Sequence, residues 1–343
     1  MRAIVLTRPG QVREVDTWPE PEPRAGEVLV AIRAVGLCGS DLGVYDGHRA
    51  TPELPWVMGH EGGGEIVAVG PGVTDRHPGQ RVVVEPNYGC LACAACAEGA
   101  TSACPDRGIV GMNVPGLLAE RVAVPARFAR PVPDTVDDPT LACLEPLAVA
   151  RAAVRRSGVR PADRCLVLGA GSQGLFVCQA LRALGVRPYV SEPHDGRTAL
   201  AEELGARRLS PEHVPDPGRT ADAAHGFHVV FDTVGLADTW DLALRTVRPT
   251  GSVVLIGMSG STVSATSADL TRRQVTLRGS LIYDHPEDFR DTVDTVAAGV
   301  LAPADVLRYT ATPDAAADAF AGARTVPGKS WIDLTGWQED RNG

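Results

Sequence analysis

Residues 164–185 read RCLVLGAGSQGLFVCQALRALG, and the order of residue types in that stretch decides the fold. Residues 164–168 are a compact apolar run that predicts a strand. Gly169, Gly171 and Gly174 follow at once in the spacing G-x-G-x-x-G, and an amphipathic helix continues to Leu184, ended by Gly185. A second strand is predicted over 187–191, closed by Glu192, 18 residues beyond Gly174. The glycines alone would be a weak signal, but strand, turn, helix and a carboxylate after the next strand supply the full context of a dinucleotide-binding turn. The first glycine permits the tight turn, the second lets a pyrophosphate approach the backbone, and the third lets helix and strand pack closely. Ser172 and Gln173 open the helix, whose N-terminus faces the phosphates. Glu192 would accept hydrogen bonds from the adenine ribose and repel a 2′-phosphate, which favours NAD over NADP. Arg197 argues the other way, since a guanidinium can hold a 2′-phosphate, although a solvated helix face explains it equally well.

Downstream the alternation continues. Helices are predicted over 196–204 and 239–244, and strands over 228–231 and 252–256, which implies a parallel sheet with helices on both faces. Upstream, residues 27–34, 64–69, 81–85 and 119–124 read as short strands broken by Gly and Pro, and an Ala/Arg helix over 148–158 marks the change of character. From residue 285 two helices, 286–298 and 315–323, and a strand over 331–334 complete the chain. The chain has 343 residues, too many for one ordinary core, so two domains are expected.

Composition narrows the function classes. The net charge is −9 with the acidic residues scattered, which speaks against a nucleic-acid or anionic-membrane surface. No stretch approaches the ~20 apolar residues needed to span a bilayer. The N-terminus alternates like a strand and lacks the features of a signal peptide, so a cytoplasmic protein is expected. The cations are nearly all arginine, Lys329 being the only lysine, a bias that matches GC-rich coding and carries no functional conclusion.

Four of the eight cysteines, Cys90, Cys93, Cys96 and Cys104, are spaced C-x2-C-x2-C-x7-C. In a reducing compartment such a cluster is a metal shell rather than a pair of disulfides, and four thiolates leave no open position, the pattern of a structural zinc. A different set of donors is spread over three segments: Cys38 to Asp41, Gly59 to Gly62, and Leu144 to Leu147. Cys, His and carboxylate from distant segments suit an open, catalytic zinc. Taken singly, Cys38 also fits a small buried hydrophobe, His60 a structural histidine and Glu145 an exposed carboxylate.

The motifs CGSD at 38–41, GHEGGGEIVAVG at 59–70, the four cysteines from Cys90, LEPLAVA at 144–150 and GAGSQG at 169–174 occur in one order along the chain. With them the sequence resembles the zinc-dependent medium-chain dehydrogenases/reductases, the alcohol and polyol dehydrogenase superfamily, over essentially its whole length. Glu145 places it nearest the sorbitol, butanediol and threonine dehydrogenase branch. The resemblance implies a GroES-like β-barrel catalytic domain over 1–148, completed by 285–343, and a Rossmann NAD-binding domain over 149–284. It implies that Cys38, His60 and Glu61 hold the catalytic zinc, with Glu145 binding the metal or hydrogen-bonding its water. Asp41 would orient His60, Ser40 would relay the substrate hydroxyl proton, and Ile256 to Met258 would offer backbone groups to the nicotinamide amide. The implied reaction is hydride transfer between NAD(H) and a secondary alcohol or ketone, a diol, polyol or cyclitol-like substrate, in a homodimer or homotetramer.

Two positions depart from the family pattern. Many relatives carry a relay histidine where this chain has Gly43, with His48 on the same loop as a substitute or a plain surface residue. Sorbitol dehydrogenases carry a polyol-holding arginine in a strand corresponding to 279–283, where this chain has Ile282. An acyclic sugar alcohol is therefore disfavoured against a less hydroxylated secondary alcohol, a diol or a cyclitol-like ring. A zinc-free quinone or enoyl reductase of the same fold would need no metal donors, and a non-catalytic dinucleotide-binding protein would not need Cys38, Ser40 and Glu145.

Overall fold

The computed structural model describes residues 1–210, 226–262 and 264–342. The chain divides into two units, Met1–Pro146 with Asp284–Gly343, and Leu147–Tyr283.

In the second unit six parallel strands form one sheet. In chain order they are Cys165–Leu168, Tyr189–Ser191, Arg207–Arg208, Phe227–Asp232, Val247–Leu255 and Thr276–Gly279. In space the third lies at one edge, followed by the second, first, fourth, fifth and sixth. This is the doubly wound 3-2-1-4-5-6 order, whose ligand crevice opens where the winding reverses, beside the C-terminal end of Cys165–Leu168. That strand is buried on both faces, as its unbroken apolar run requires. Its Leu166 and Leu168 pack with Phe227, Val230 and Val253 into the core.

Among the described residues the first unit holds a seven-stranded, mostly antiparallel sheet, a three-stranded one and a two-stranded one. The long strand Glu27–Gly36 is central, pairing with Glu61–Val69, Arg121–Pro125 and the late strand Lys329–Asp333. The C-terminal residues therefore belong to the same sheet as the N-terminal ones. The N-terminal alternating stretch is a hairpin, Ala3–Arg8 against Gln11–Val15.

Three expectations need correction. The helix expected over 148–158 runs over Asp138–Ser157, so Glu145 lies inside it. Pro146 reads as a breaker in the sequence, yet it is tolerated within this helix, which begins where the Asp137 carboxylate accepts from the Thr140 amide at 3.0 Å. The strand expected over 279–283 stops at Gly279. Beyond it the Arg156 guanidinium gathers the Leu281 and Ile282 carbonyls, at 3.1 and 2.7 Å, and Ile282 adopts φ +42°, outside any strand geometry. The chain also ends in a helix, Thr335–Asn342, rather than a strand. Among the described residues no helix is long and apolar enough to cross a membrane.

Candidate metal and cofactor sites

Cys38 is the N-cap of the short helix Gly39–Tyr45, and the Asp41 carboxylate reaches back to its amide at 3.1 Å. The other Asp41 oxygen accepts from the Gly59 amide at 3.2 Å and pairs with His60 Nδ1 at 3.1 Å. One buried carboxylate thus ties the Cys38 segment to the His60 segment and fixes the imidazole with Nε2 facing away. Burial would raise the Asp41 pKa, but the His60 ring and these amide donors outweigh it and hold it low. Cys38 Sγ, a His60 ring nitrogen and a Glu61 carboxylate oxygen lie within 4.8 Å of one another. The Ser40 hydroxyl touches two of the three, 3.2 Å from Cys38 Sγ and 3.3 Å from His60 Nε2. A thiolate, an imidazole nitrogen and a carboxylate held this closely fit zinc with a fourth position to spare.

Glu145 is buried but lies outside that trio. Burial pushes its carboxyl up to about 8; Glu61 adds to the rise, and His60 and Lys329 oppose it. Lys329 is the residue that sequence reasoning missed. Its ammonium is buried, donates to the Leu37 carbonyl at 3.2 Å and pairs with Glu61 Oε2. Burial would lower its pKa, but the Glu61 carboxylate dominates and keeps it charged. The available signal was its being the sole lysine among many arginines.

At Gly43 an added Cβ would meet nothing within 4 Å, and the His48 and Arg49 amides fold back onto the Gly43 carbonyl at 2.9 and 3.0 Å. His48 itself is exposed.

Cys90, Cys93, Cys96 and Cys104 bring their sulfurs within 4.8 Å of one another, and all are free thiols. Cys93 caps the single-turn helix Ala94–Ala97, which carries Cys96, and its amide donates to Cys90 Sγ at 3.3 Å. Amide donors from Ala92 and Cys93 draw the Cys90 thiol down to about 7, toward the thiolate a metal needs.

In the second unit the three glycines of the turn have three different constraints. Gly169 has φ +91°, and Gly174 packs so closely that a Cβ would lie 2.0 Å from the Gly169 carbonyl oxygen. At Gly171 a Cβ would meet nothing, leaving the approach that a pyrophosphate needs. Ser172 and Gln173 begin the helix Ser172–Ala183. Glu192 accepts from the Ala170 amide at 2.9 Å and the His194 amide at 3.0 Å, which sets its carboxylate against the glycine turn. Arg197 lies in the first turn of Asp195–Glu203, half-buried. Ile256 and Gly257 both donate their amides to the Asp232 carbonyl, at 2.9 and 3.0 Å, and Met258 is 69% exposed. With both amides engaged, the Ile256 and Gly257 carbonyls are the backbone groups left to accept from a carboxamide.

A dinucleotide-type turn in one unit and two donor clusters able to hold zinc in the other are the features of a metal-dependent oxidoreductase. Residues 24–134 match the alcohol dehydrogenase GroES-like domain, and residues 174–298 match the zinc-binding dehydrogenase family. The protein named "Probable diacetyl reductase, (R)-acetoin forming, 2" of Saccharomyces cerevisiae is 33% identical over 335 residues, covering 87% of this chain and 80% of its own length. L-galactonate-5-dehydrogenase of Escherichia coli K12 is 30% identical, covering 87% and 88%. An alcohol dehydrogenase structure from Escherichia coli CFT073, complexed with NADH, superposes with a TM-score of 0.88 at 27% identity, covering 97% and 99%. The chain belongs to the zinc-type medium-chain alcohol and polyol dehydrogenases.

Proposed function

We propose that this chain transfers a hydride reversibly between NAD(H) and a secondary alcohol or its ketone, with zinc held by Cys38, His60 and Glu61. The observation that carries the reading is the Ser40 hydroxyl, set beside both Cys38 Sγ and His60 Nε2. When bound, zinc supplies the charge that acidifies a substrate hydroxyl, and the nicotinamide accepts the hydride. Ser40 would accept the substrate hydroxyl proton at Oγ while releasing its own hydroxyl proton outward, a relay to which Gly43 adds no side chain. Asp41 keeps His60 in the tautomer that presents Nε2. Glu145 either joins the metal or holds its water. Cys90, Cys93, Cys96 and Cys104 hold a second, structural zinc.

The carboxylate of Glu192 supports NAD over NADP. The substrate reading is a vicinal diol, polyol or cyclitol-like ring. A diacetyl reductase and a galactonate dehydrogenase are among the relatives, and both names denote compounds with oxygen on adjacent carbons. The exposed edge strand Thr276–Gly279 supports a homo-oligomer, and the chain is read as cytoplasmic.

The test is a panel of diols, cyclitols, sugar alcohols and ketones with NAD(H), using protein of measured zinc content. Turnover of a secondary alcohol that chelation abolishes is the expected result. Enone reduction that survives chelation would sink the reading.

A further inference from the structure

Glu61 and Lys329 come from two strands that do not touch each other. Glu27–Gly36 lies between them, pairing Gly36 with Glu61 on one side and with Trp331 on the other. The two side chains meet over the end of that middle strand, and the reason they can is Gly36. A Cβ there would lie 2.6 Å from Lys329 Cε and 2.8 Å from Glu61 Oε2. Lys329 as a whole is 1% exposed, so no solvent dilutes its hold on the carboxylate.

We propose that Lys329 is a positioning residue for the metal: it occupies Oε2 of Glu61, leaves only Oε1 to the ion, and so keeps a coordination position open for substrate. The inference rests on the zinc reading above. A compact ammonium with three donors serves the Leu37 carbonyl and Glu61 together from beside Gly36. Two cations sharing one carboxylate also repel each other. Loss of Lys329 therefore favours the metal while it strips the metal-free site of its counter-charge. A merely structural ion pair would instead weaken the metal-free and metal-loaded protein alike and leave affinity unchanged.

The experiment measures zinc release to a chelator. The zinc fraction that is missing from Cys38→Ser is assigned to the site in question. In Lys329→Met that fraction should bind at least about tenfold more tightly. The visible bands of the cobalt-substituted protein should weaken as Oε2 joins the ion and raises its coordination number. Lys329→Gln, which keeps an amide donor but no charge, gives the same affinity measurement if the methionine variant does not fold. Unchanged or weaker zinc binding in the variant that folds overturns the proposal. A wild-type chain that holds a single zinc, with none missing from Cys38→Ser, overturns the underlying zinc reading instead.

Discussion

Asp41 shows why single residues were legible in the sequence where their neighbours in space were not. Cys38, Ser40 and Asp41 fall within one helical turn, so their mutual reach follows from local geometry. His60 could be joined to them through the family resemblance. Lys329 could not, because it meets Glu61 across an intervening strand from 268 residues away, and an arginine-rich composition made it look incidental. Cys38→Ser should lower turnover by about a thousandfold or more, with far-ultraviolet circular dichroism kept and one of two zinc ions lost. Substantial residual turnover in that variant would remove Cys38 from the metal set. Glu145 carries a pH signature. Its folded carboxyl titrates near 8 because of burial, against 4.5 for an ordinary glutamate. Between those values the folded, metal-free chain holds a proton that the unfolded chain has released, so stability falls as pH rises through the window. Glu145→Gln should flatten that slope in urea denaturation of stripped protein at pH 5 and 8. Equal slopes in the two proteins would refute the assignment.

At the scale of elements, the glycine turn was fully legible because each of its constraints is local. The helix Asp138–Ser157 was misjudged because Pro146 looks like a breaker, and the segment after Gly279 because nothing nearby in sequence announces that Arg156 will gather its carbonyls. The turn allows two neighbouring glycines to be separated by experiment. A Gly174→Ala methyl must displace the Gly169 carbonyl, 2.0 Å away, so stability should fall by about 1–3 kcal/mol and cofactor binding with it. A Gly171→Ala methyl meets nothing in the fold, so stability should stay within ~0.5 kcal/mol while NADH binds about tenfold or more weakly. Thermal unfolding without cofactor and NADH titration check both. If Gly171→Ala binds NADH normally, the pyrophosphate does not lie there.

For the whole molecule, strand–helix alternation foretold the parallel sheet, and right-handed crossovers leave few other orders than the one found. The first unit was less legible, since its sheet recruits Lys329–Asp333 from the far end of the chain, a pairing no local pattern encodes. The order of the second sheet has a further consequence. Its last strand, Thr276–Gly279, is an edge with every residue exposed, Leu277 at 38% and Leu281 just beyond at 42%. The strand carries a single charge, Arg278, and no proline, and among the described residues its outer backbone groups pair with no further strand; two copies related by a twofold axis would cover it. Leu277→Lys places a charge on that edge while leaving the glycine turn and both metal sets untouched. The variant should sediment as a monomer at concentrations where the parent chain is a dimer or tetramer, and should still bind NADH. If the parent sediments as a monomer, or the variant keeps the parent's assembly, the strand is not the interface.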